Sequence, residues 1–287
     1  MDSFFFNITD TSYKITKNRV DISNGIVFLD IKKGFELHIK NLDRLIMIPV
    51  VKNGTLSITD NLKQITFITK NSHSDIFTSS KQDFTLHADG DIFILFIADF
   101  FLKRYKSSKQ NEPIDFLLSK MQEEISLELV DTKPLNALSL YIINKITKPN
   151  ENMNSIRCEH HVIEFMIHRF SLMDMVDRNI DDETLHVAKK AKEYLLKSCV
   201  TPPSIQELAH LCGTNESKLK KVFKQVYNTT IYGYIQKLRL EKANLLLKDK
   251  LLNIGEIAKK VGYKHQGHFS KLFFENYGVY PKDLLKK

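Results

Sequence analysis

The last third of this 287-residue chain contains one pattern twice, and that repeat constrains the fold more than any other feature. Ser204-Ile205-Gln206-Glu207-Leu208-Ala209 matches Asn253-Ile254-Gly255-Glu256-Ile257-Ala258 at an offset of 49, and Gly213 matches Gly262 at the same offset. One inserted residue moves the offset to 50: Leu219 then matches Phe269, Lys221 matches Lys271, Phe223 matches Phe273, and Tyr227-Asn228 matches Tyr277-Gly278. Each copy has the anatomy of a helix-turn-helix. Ser204 with Glu207, and Asn253 with Glu256, have the spacing of a capping box, in which two side chains reciprocally satisfy free backbone N–H groups. Ala209 and Ala258 let a second helix approach closely, and Gly213 and Gly262 permit a tight turn. Leu219, Val222 and Phe223 face inward in the first copy, and Phe269, Leu272 and Phe273 in the second. Tyr234 to Leu247 reads as one amphipathic helix joining the copies. A helical solenoid is the competing reading, but two units are fewer than solenoids usually need.

Charge marks off the same region. Residues 181–287 hold 20 Lys/Arg against 11 Asp/Glu, whereas residues 1–180 hold 22 against 23. All of the net +8 therefore lies in the repeat-bearing third. A compact basic domain on a near-neutral one suggests a nucleic-acid binder with a separate sensing or assembly part. A merely Lys-rich surface is the bland alternative. At 287 residues the chain exceeds what one core usually serves, so two domains are expected.

Residues 20–100 read as β-structure, a small sandwich or barrel. Phe35, Leu37 and Ile39 alternate with Glu36, His38 and Lys40, the period of a half-buried strand. Leu56 and Ile58 alternate, as do Ile65 and Phe67. Asn53-Gly54 signals a hairpin, with Asn24-Gly25 and Asp89-Gly90 as further turns. Ile92 to Ile97 reads as a buried closing strand. No glycine occurs between Gly90 and Gly213, which favours helices. One helix starts at Pro113, with Ile114, Leu117, Leu118 and Met121 as its stripe. A second starts at Pro134, with Leu135, Leu138, Tyr141, Ile142 and Ile146, and a third runs from about Ile156 to Met175. Asp177 to Glu183 is the candidate linker. The resulting division is a β-rich part over 1–112, a helical segment over 113–180, and a domain over 181–287 with helix-turn-helix units at 204–226 and 253–275.

Several classes are excluded at this stage. The longest apolar run, Ile92 to Ala98, is too short to span a bilayer. The N-terminus lacks the basic and apolar regions of a secretory signal, and Cys158, Cys199 and Cys212 fit a reducing cytoplasm. Nucleotide-binding glycine loops, H-E-x-x-H and G-x-S-x-G are all missing, so no enzyme and no cofactor is expected.

The repeat and its joining helix resemble the AraC/XylS family of bacterial transcription regulators from about Leu185 to Lys287. The resemblance rests on Leu238-Arg239-Leu240-Glu241-Lys242-Ala243, on Ile257-Ala258, Val261-Gly262-Tyr263 and His268-Phe269-Ser270-Lys271-Leu272-Phe273, and on Tyr277-Gly278-Val279-Tyr280-Pro281. Leu219 to Tyr227 and Tyr263 to Phe269 look more narrowly like the siderophore-responsive, iron-uptake branch. The resemblance implies a multidomain α+β fold: a cupin-like β-barrel with dimerisation helices, then an all-α domain of seven helices. It also implies a cytoplasmic homodimer, usually an activator, that recruits RNA polymerase. Its recognition helices would enter two successive major grooves of double-stranded DNA, about one turn or ~34 Å apart. The effector would be a small molecule such as a siderophore, or a partner protein would act instead.

By family position, Ser217, Lys220 and Lys221 point at base edges, with Lys218 and Lys224 also on the outer side. In the second helix, which should start near His265, the outer residues are Gln266, His268, Ser270 and Lys271. Asn215 is the expected N-cap of the first. Lys can donate to guanine and Gln can pair with adenine. The domain departs from the family in having a single Arg, Arg239, which reads as structural. Lysine lacks the guanidinium fork, so readout should lean on phosphates and DNA shape.

The first half offers His38, His73 and His87, but not the close H-x-H pair followed by Glu of a metal-binding cupin. His161, Glu164 and His168, with Cys158 a turn earlier, could share a helix face and hold a metal. A solvated or interface face is the plainer reading, so no metal is assigned.

Overall fold

The computed structural model describes residues 6–8, 19–23, 25–32, 34–41, 43–80, 83–106, 112–121, 127–147, 154–173, 181–227 and 229–285. The chain divides into two compact units, residues 1–135 with 139–173 and residues 136–138 with 174–287.

Among its described residues the first unit is built on nine antiparallel strands: β1 (Phe6–Ile8), β2 (Arg19–Ser23), β3 (Ile26–Ile31), β4 (Phe35–Asn41), β5 (Arg44–Asp60), β6 (Ile65–Thr69), β7 (His73–Ser80), β8 (Phe84–Ala98) and β9 (Leu127–Pro134). Their order is β1-β4-β8-β5-β7-β9, with β3 also on β8, β2 on β3 and β6 on β5. The long strands β5 and β8 pair along their whole length, from Leu45 opposite Ala98 to Asp60 opposite Phe84.

Gly54 lies opposite Gly90 in this ribbon. Both have positive φ, +95° and +126°. A Cβ on Gly54 would lie 1.8 Å from the Asp89 carbonyl oxygen, and one on Gly90 would lie 2.1 Å from that of Asn53. Only glycine permits backbones this close in that conformation. A register shift between Val51 and Asn53 sits beside the pair, as expected for a bulge that bends a strand. Burial changes character there. The far halves alternate, with Leu56, Ile58, Phe84, Leu86 and Ala88 buried and Thr55, His87 and Asp89 exposed. The near halves are buried on both faces. One near face, including Leu45, Met47, Ile94 and Phe96, shares a single core with the far halves. The ribbon therefore folds over on itself. The other near face includes Phe93, whose ring meets Phe165 edge-on at 6.1 Å. Each such buried side chain contributes ~1.5–3 kcal/mol.

Several sequence expectations are corrected here. The sheet is open among the described strands, not a closed cupin-like barrel. Asn53-Gly54 and Asp89-Gly90 are not hairpin turns; they are bends inside β5 and β8. Ile92–Ile97 is central, not closing, because β3 and β5 flank it. Glycine at these positions serves close backbone approach rather than chain reversal. By contrast, β2 and β3 pair antiparallel with Ser23 opposite Ile26, the strands that the Asn24-Gly25 signal is expected to join; Asn24 lies outside the described residues.

Helix α1 (Asp99–Leu102) follows β8, and α2 (Pro113–Lys120) starts at its proline as expected. Pro134 does not start a helix. It ends β9, an edge strand on β7, and α3 begins at Ala137 (Ala137–Thr147). Helix α4 spans Asn154–Ser171. Its Arg169 is 1% exposed and reaches two strands. It donates to Asp131 Oδ2 at 2.6 Å on β9, and to Ser74 Oγ and O at 3.2 and 2.9 Å on β7. This ion pair fixes α4 to the sheet edge.

The second unit contains seven helices among its described residues: α5 (Asp182–Ser198), α6 (Ile205–Leu211), α7 (Glu216–Tyr227), α8 (Ile231–Asp249), α9 (Ile254–Lys260), α10 (Gln266–Tyr277) and α11 (Pro281–Leu285). Of the linker expected over 177–183, residues 177–180 lie outside the described residues. Asp181 instead caps α5, accepting from the Thr184 amide at 2.8 Å, and Asp182 and Glu183 form the helix's first turn. Among the described residues no helix is long and apolar enough to cross a membrane.

Candidate nucleic-acid interface

The sequence repeat is a structural repeat, bond for bond. The Ser204 amide donates to Glu207 Oε2 at 2.8 Å, and the Glu207 amide to Ser204 Oγ at 3.2 Å. Asn253 and Glu256 repeat both bonds at 2.8 and 3.0 Å. The turns also superimpose in their bonding. Gly213 donates to His210 and Thr214 to Ala209, while Gly262 donates to Lys259 and Tyr263 to Ala258. Both glycines adopt positive φ, +71° and +94°. Asn215 caps α7, accepting from the Lys218 amide at 2.8 Å.

Each second helix buries an aromatic edge. In α7, Leu219, Val222, Phe223 and Val226 are buried, and Phe223 packs on Tyr234 of α8 at 5.3 Å. In α10, Phe269 and Phe273 are buried, and Tyr277 meets Phe273 at 4.7 Å. Leu272, expected inward, is half-buried. Burial pushes the Tyr277 phenol well above its ordinary range.

The outer faces follow from 3.6 residues per turn. On α7, Ser217, Lys221 and Lys224 form the exposed stripe opposite the buried edge. Lys218 and Lys220 flank it and are exposed, but each has an acidic partner. Lys218 Nζ lies 2.6 Å from Glu183 on α5, which raises the Lys218 pKa, and Lys220 Nζ lies 3.1 Å from Glu216. Lys221 and Lys224 have no ion pair among the described residues. On α10 the corresponding stripe is Gly267, Lys271 and Phe274, all exposed. Lys271 has Glu275 at 3.8 Å. His268 is exposed beside Tyr263, at 5.9 Å between rings, and Ser270 is half-buried. The exposed Gln266 lies along α9: its Oε1 is 3.1 Å from where a Cβ on Gly255 would stand.

Sequence reasoning missed Phe274. It is 41% exposed and stacks on Tyr280 at 4.5 Å. The signal was available, since the offset of 50 aligns it with Lys224.

Within the C-terminal unit, helix α8 holds the two helix-turn-helix copies together through Arg239. Its Nε donates to Cys199 O at 2.8 Å, Nη2 to Val200 O at 3.0 Å, and Nη1 to Gly262 O at 3.2 Å. The guanidinium also lies over the Tyr263 ring at 5.6 Å. One side chain thus ties the joining helix to the end of α5 and to the second turn. The sole arginine of residues 181–287 is thus engaged in holding the domain's own backbone.

The family described as "Helix-turn-helix domain" matches residues 208–287. The C-terminal unit carries a helix-turn-helix domain. The chain is 37% identical over 81 residues to the HTH-type transcriptional regulator AlkR of Acinetobacter baylyi, covering 28% of this chain and 26% of that one. It is 34% identical over 72 residues to the regulatory protein PchR of Pseudomonas aeruginosa, covering 25% and 23%. The chain therefore spans about a quarter of the length of these relatives. The crystal structure of unsaturated fatty acid bound ToxT from Vibrio cholerae is 14% identical, covering 93% of this chain and 96% of that one, at a TM-score of 0.33. The AraC/XylS resemblance is supported over the helix-turn-helix domain. The narrower likeness to an iron-uptake branch is not shown, because the matches to AlkR and PchR are of similar identity over a similar share of the chain.

The histidines of the strands, His38, His73 and His87, do not gather into one site. His38 and His87 flank Glu36 on the exposed face of β4 and β8, at 3.5 and 3.7 Å, and the His73 ring bonds to Asn71 O. On α4, Cys158 is buried with its thiol toward Ile146 O. His168 is buried as well, and burial beside Arg169 pushes its pKa down to about 4. Neither joins the group of ligand atoms that His161 and Glu164 form.

Proposed function

We propose that this chain is an AraC/XylS-type, sequence-specific DNA-binding transcription regulator, an activator and not an enzyme. The observation that carries the reading is the pair of helix-turn-helix units whose first helices carry the same capping box. Each presents an exposed stripe with a lysine at the matching place, Lys221 or Lys271, on the basic third of the chain. Ser217, Lys220 and Lys221 would read base edges, with Gln266, His268 and Lys271 in the next major groove. Lys218, Lys224 and Ser270 would hold the backbone. The relatives matched over this domain are regulators, which supports the same reading. A homodimer formed through the first unit's helices would bind in the cytoplasm and recruit RNA polymerase. A small-molecule effector, a siderophore or other iron-related ligand, would act on the β-rich unit.

Selection from a random duplex pool with the full chain at near-physiological salt tests this. Enrichment of two short boxes about one helical turn, ~34 Å, apart is expected. Binding that is only nonspecific and salt-sensitive would refute it.

A second reading has a partner protein in place of the effector. The β5–β6 hairpin favours it, exposing Leu62, Ile65 and Ile68 at 79%, 48% and 64%. Isolated exposed apolar residues are common, but three on one hairpin are the kind of patch that marks an interaction site. A thermal shift of the full chain by an iron chelate would favour the effector.

A further inference from the structure

Helix α4 brings together three side chains that the regulatory reading does not use. His160, His161 and Glu164 each offer a donor atom, and these atoms lie within 4.8 Å of one another. Glu164 stands one turn beyond both histidines, at i+4 from His160 and i+3 from His161, the spacings at which helical side chains meet. His161 Nδ1 is 3.1 Å from Glu164 Oε2. The two imidazole rings are 5.3 Å apart, edge to face.

We propose that α4 carries a surface site for a late first-row divalent ion, with His160, His161 and Glu164 as ligands. Bonds of ~2.0–2.2 Å to one tetrahedral ion place its ligand atoms roughly 3.3–3.6 Å apart. The His161–Glu164 pair, at 3.1 Å, need open by only a few tenths of an ångström to reach that separation. His160 is exposed, so its ring can turn the remaining distance without disturbing the core. All three ligands come from one helical turn, so binding orders no loop. The partial exposure of His161 and Glu164, 21% and 30%, leaves room for water in the fourth position. Two nitrogens and one oxygen suit zinc, copper, nickel or cobalt; magnesium and calcium prefer all-oxygen shells. His168 and Cys158 are not ligands, because both are buried and their donor atoms do not join this group. The site stands independently of the DNA-binding reading.

The test is calorimetric titration of the full, tag-free chain with Zn2+, repeated on His160→Ala and Glu164→Gln. One ion per chain is expected. Each variant should lose at least the ~10–100-fold in affinity that even outer-shell partners are worth. Excess Mg2+ should not compete. His38→Ala/His87→Ala, which alters the histidines around Glu36, should bind as the parent does. Far-UV circular dichroism confirms folding, and exposed His160 alone decides if Glu164→Gln unfolds. Undiminished affinity in His160→Ala, loss in the His38/His87 variant instead, or displacement by Mg2+ would overturn the assignment.

Discussion

Replacing Arg239 with Met tests how the two helix-turn-helix units are held. The substitution keeps much of the aliphatic stem and removes three charge-assisted hydrogen bonds, to Cys199, Val200 and Gly262. Bonds to charged groups contribute ~1.5–3 kcal/mol each, and carbonyls left without donors add a penalty. The guanidinium is half-buried, so water recovers part of the loss. The expected cost is about 3–5 kcal/mol. Arg239→Lys keeps a charge but not the fork, and should recover about one bond's worth. The chain contains no Trp, so urea unfolding followed by far-UV circular dichroism is the assay. The same proteins should then be tested on duplexes carrying two boxes or one. Arg239→Met should lose more affinity for the two-box duplex, because Arg239 fixes the turn of the second unit. Stability within ~0.5 kcal/mol of the parent, the range of ordinary surface changes, would refute this account.

Further outcomes follow from the same structure. Lys221→Ala and Lys271→Ala should each weaken specific binding and lower the slope of log affinity against log salt by about one, with unchanged melting temperatures because both side chains are exposed; an unchanged slope together with unchanged affinity removes that lysine from the contact set. Asp131→Asn should cost about 3–5 kcal/mol by stranding buried Arg169, measured by urea unfolding. Gly54→Ala or Gly90→Ala should lower stability by more than ~3 kcal/mol or yield insoluble protein, since each Cβ would strike backbone. His168, depressed from 6.5 to about 4, stays neutral when folded and takes up a proton on unfolding. Stability is therefore full above pH 6.5 and falls by about 3 kcal/mol as pH drops toward 4; His168→Gln should flatten that slope.

The sequence by itself determined the architecture of the second unit. Capping boxes, turn glycines and i, i+3, i+4 burial are all local, so Ser204, Gly213, Asn215, Asn253 and Gly262 could be read directly. It also separated the inward residues of α7 and α10 from the outward ones, because helical periodicity is a property of the chain alone. Partnership was not legible in the same way. That Lys218 meets Glu183, and that Arg239 serves three carbonyls on two other elements, depends on helices distant in sequence arriving side by side. In the first unit, tertiary structure overruled local signals. Asn53-Gly54 carries a strong hairpin signature, yet its glycine faces Gly90 across a folded ribbon. A positive-φ glycine looks the same in sequence whether it reverses a strand or lets two backbones cross, and only the strand opposite decides between them.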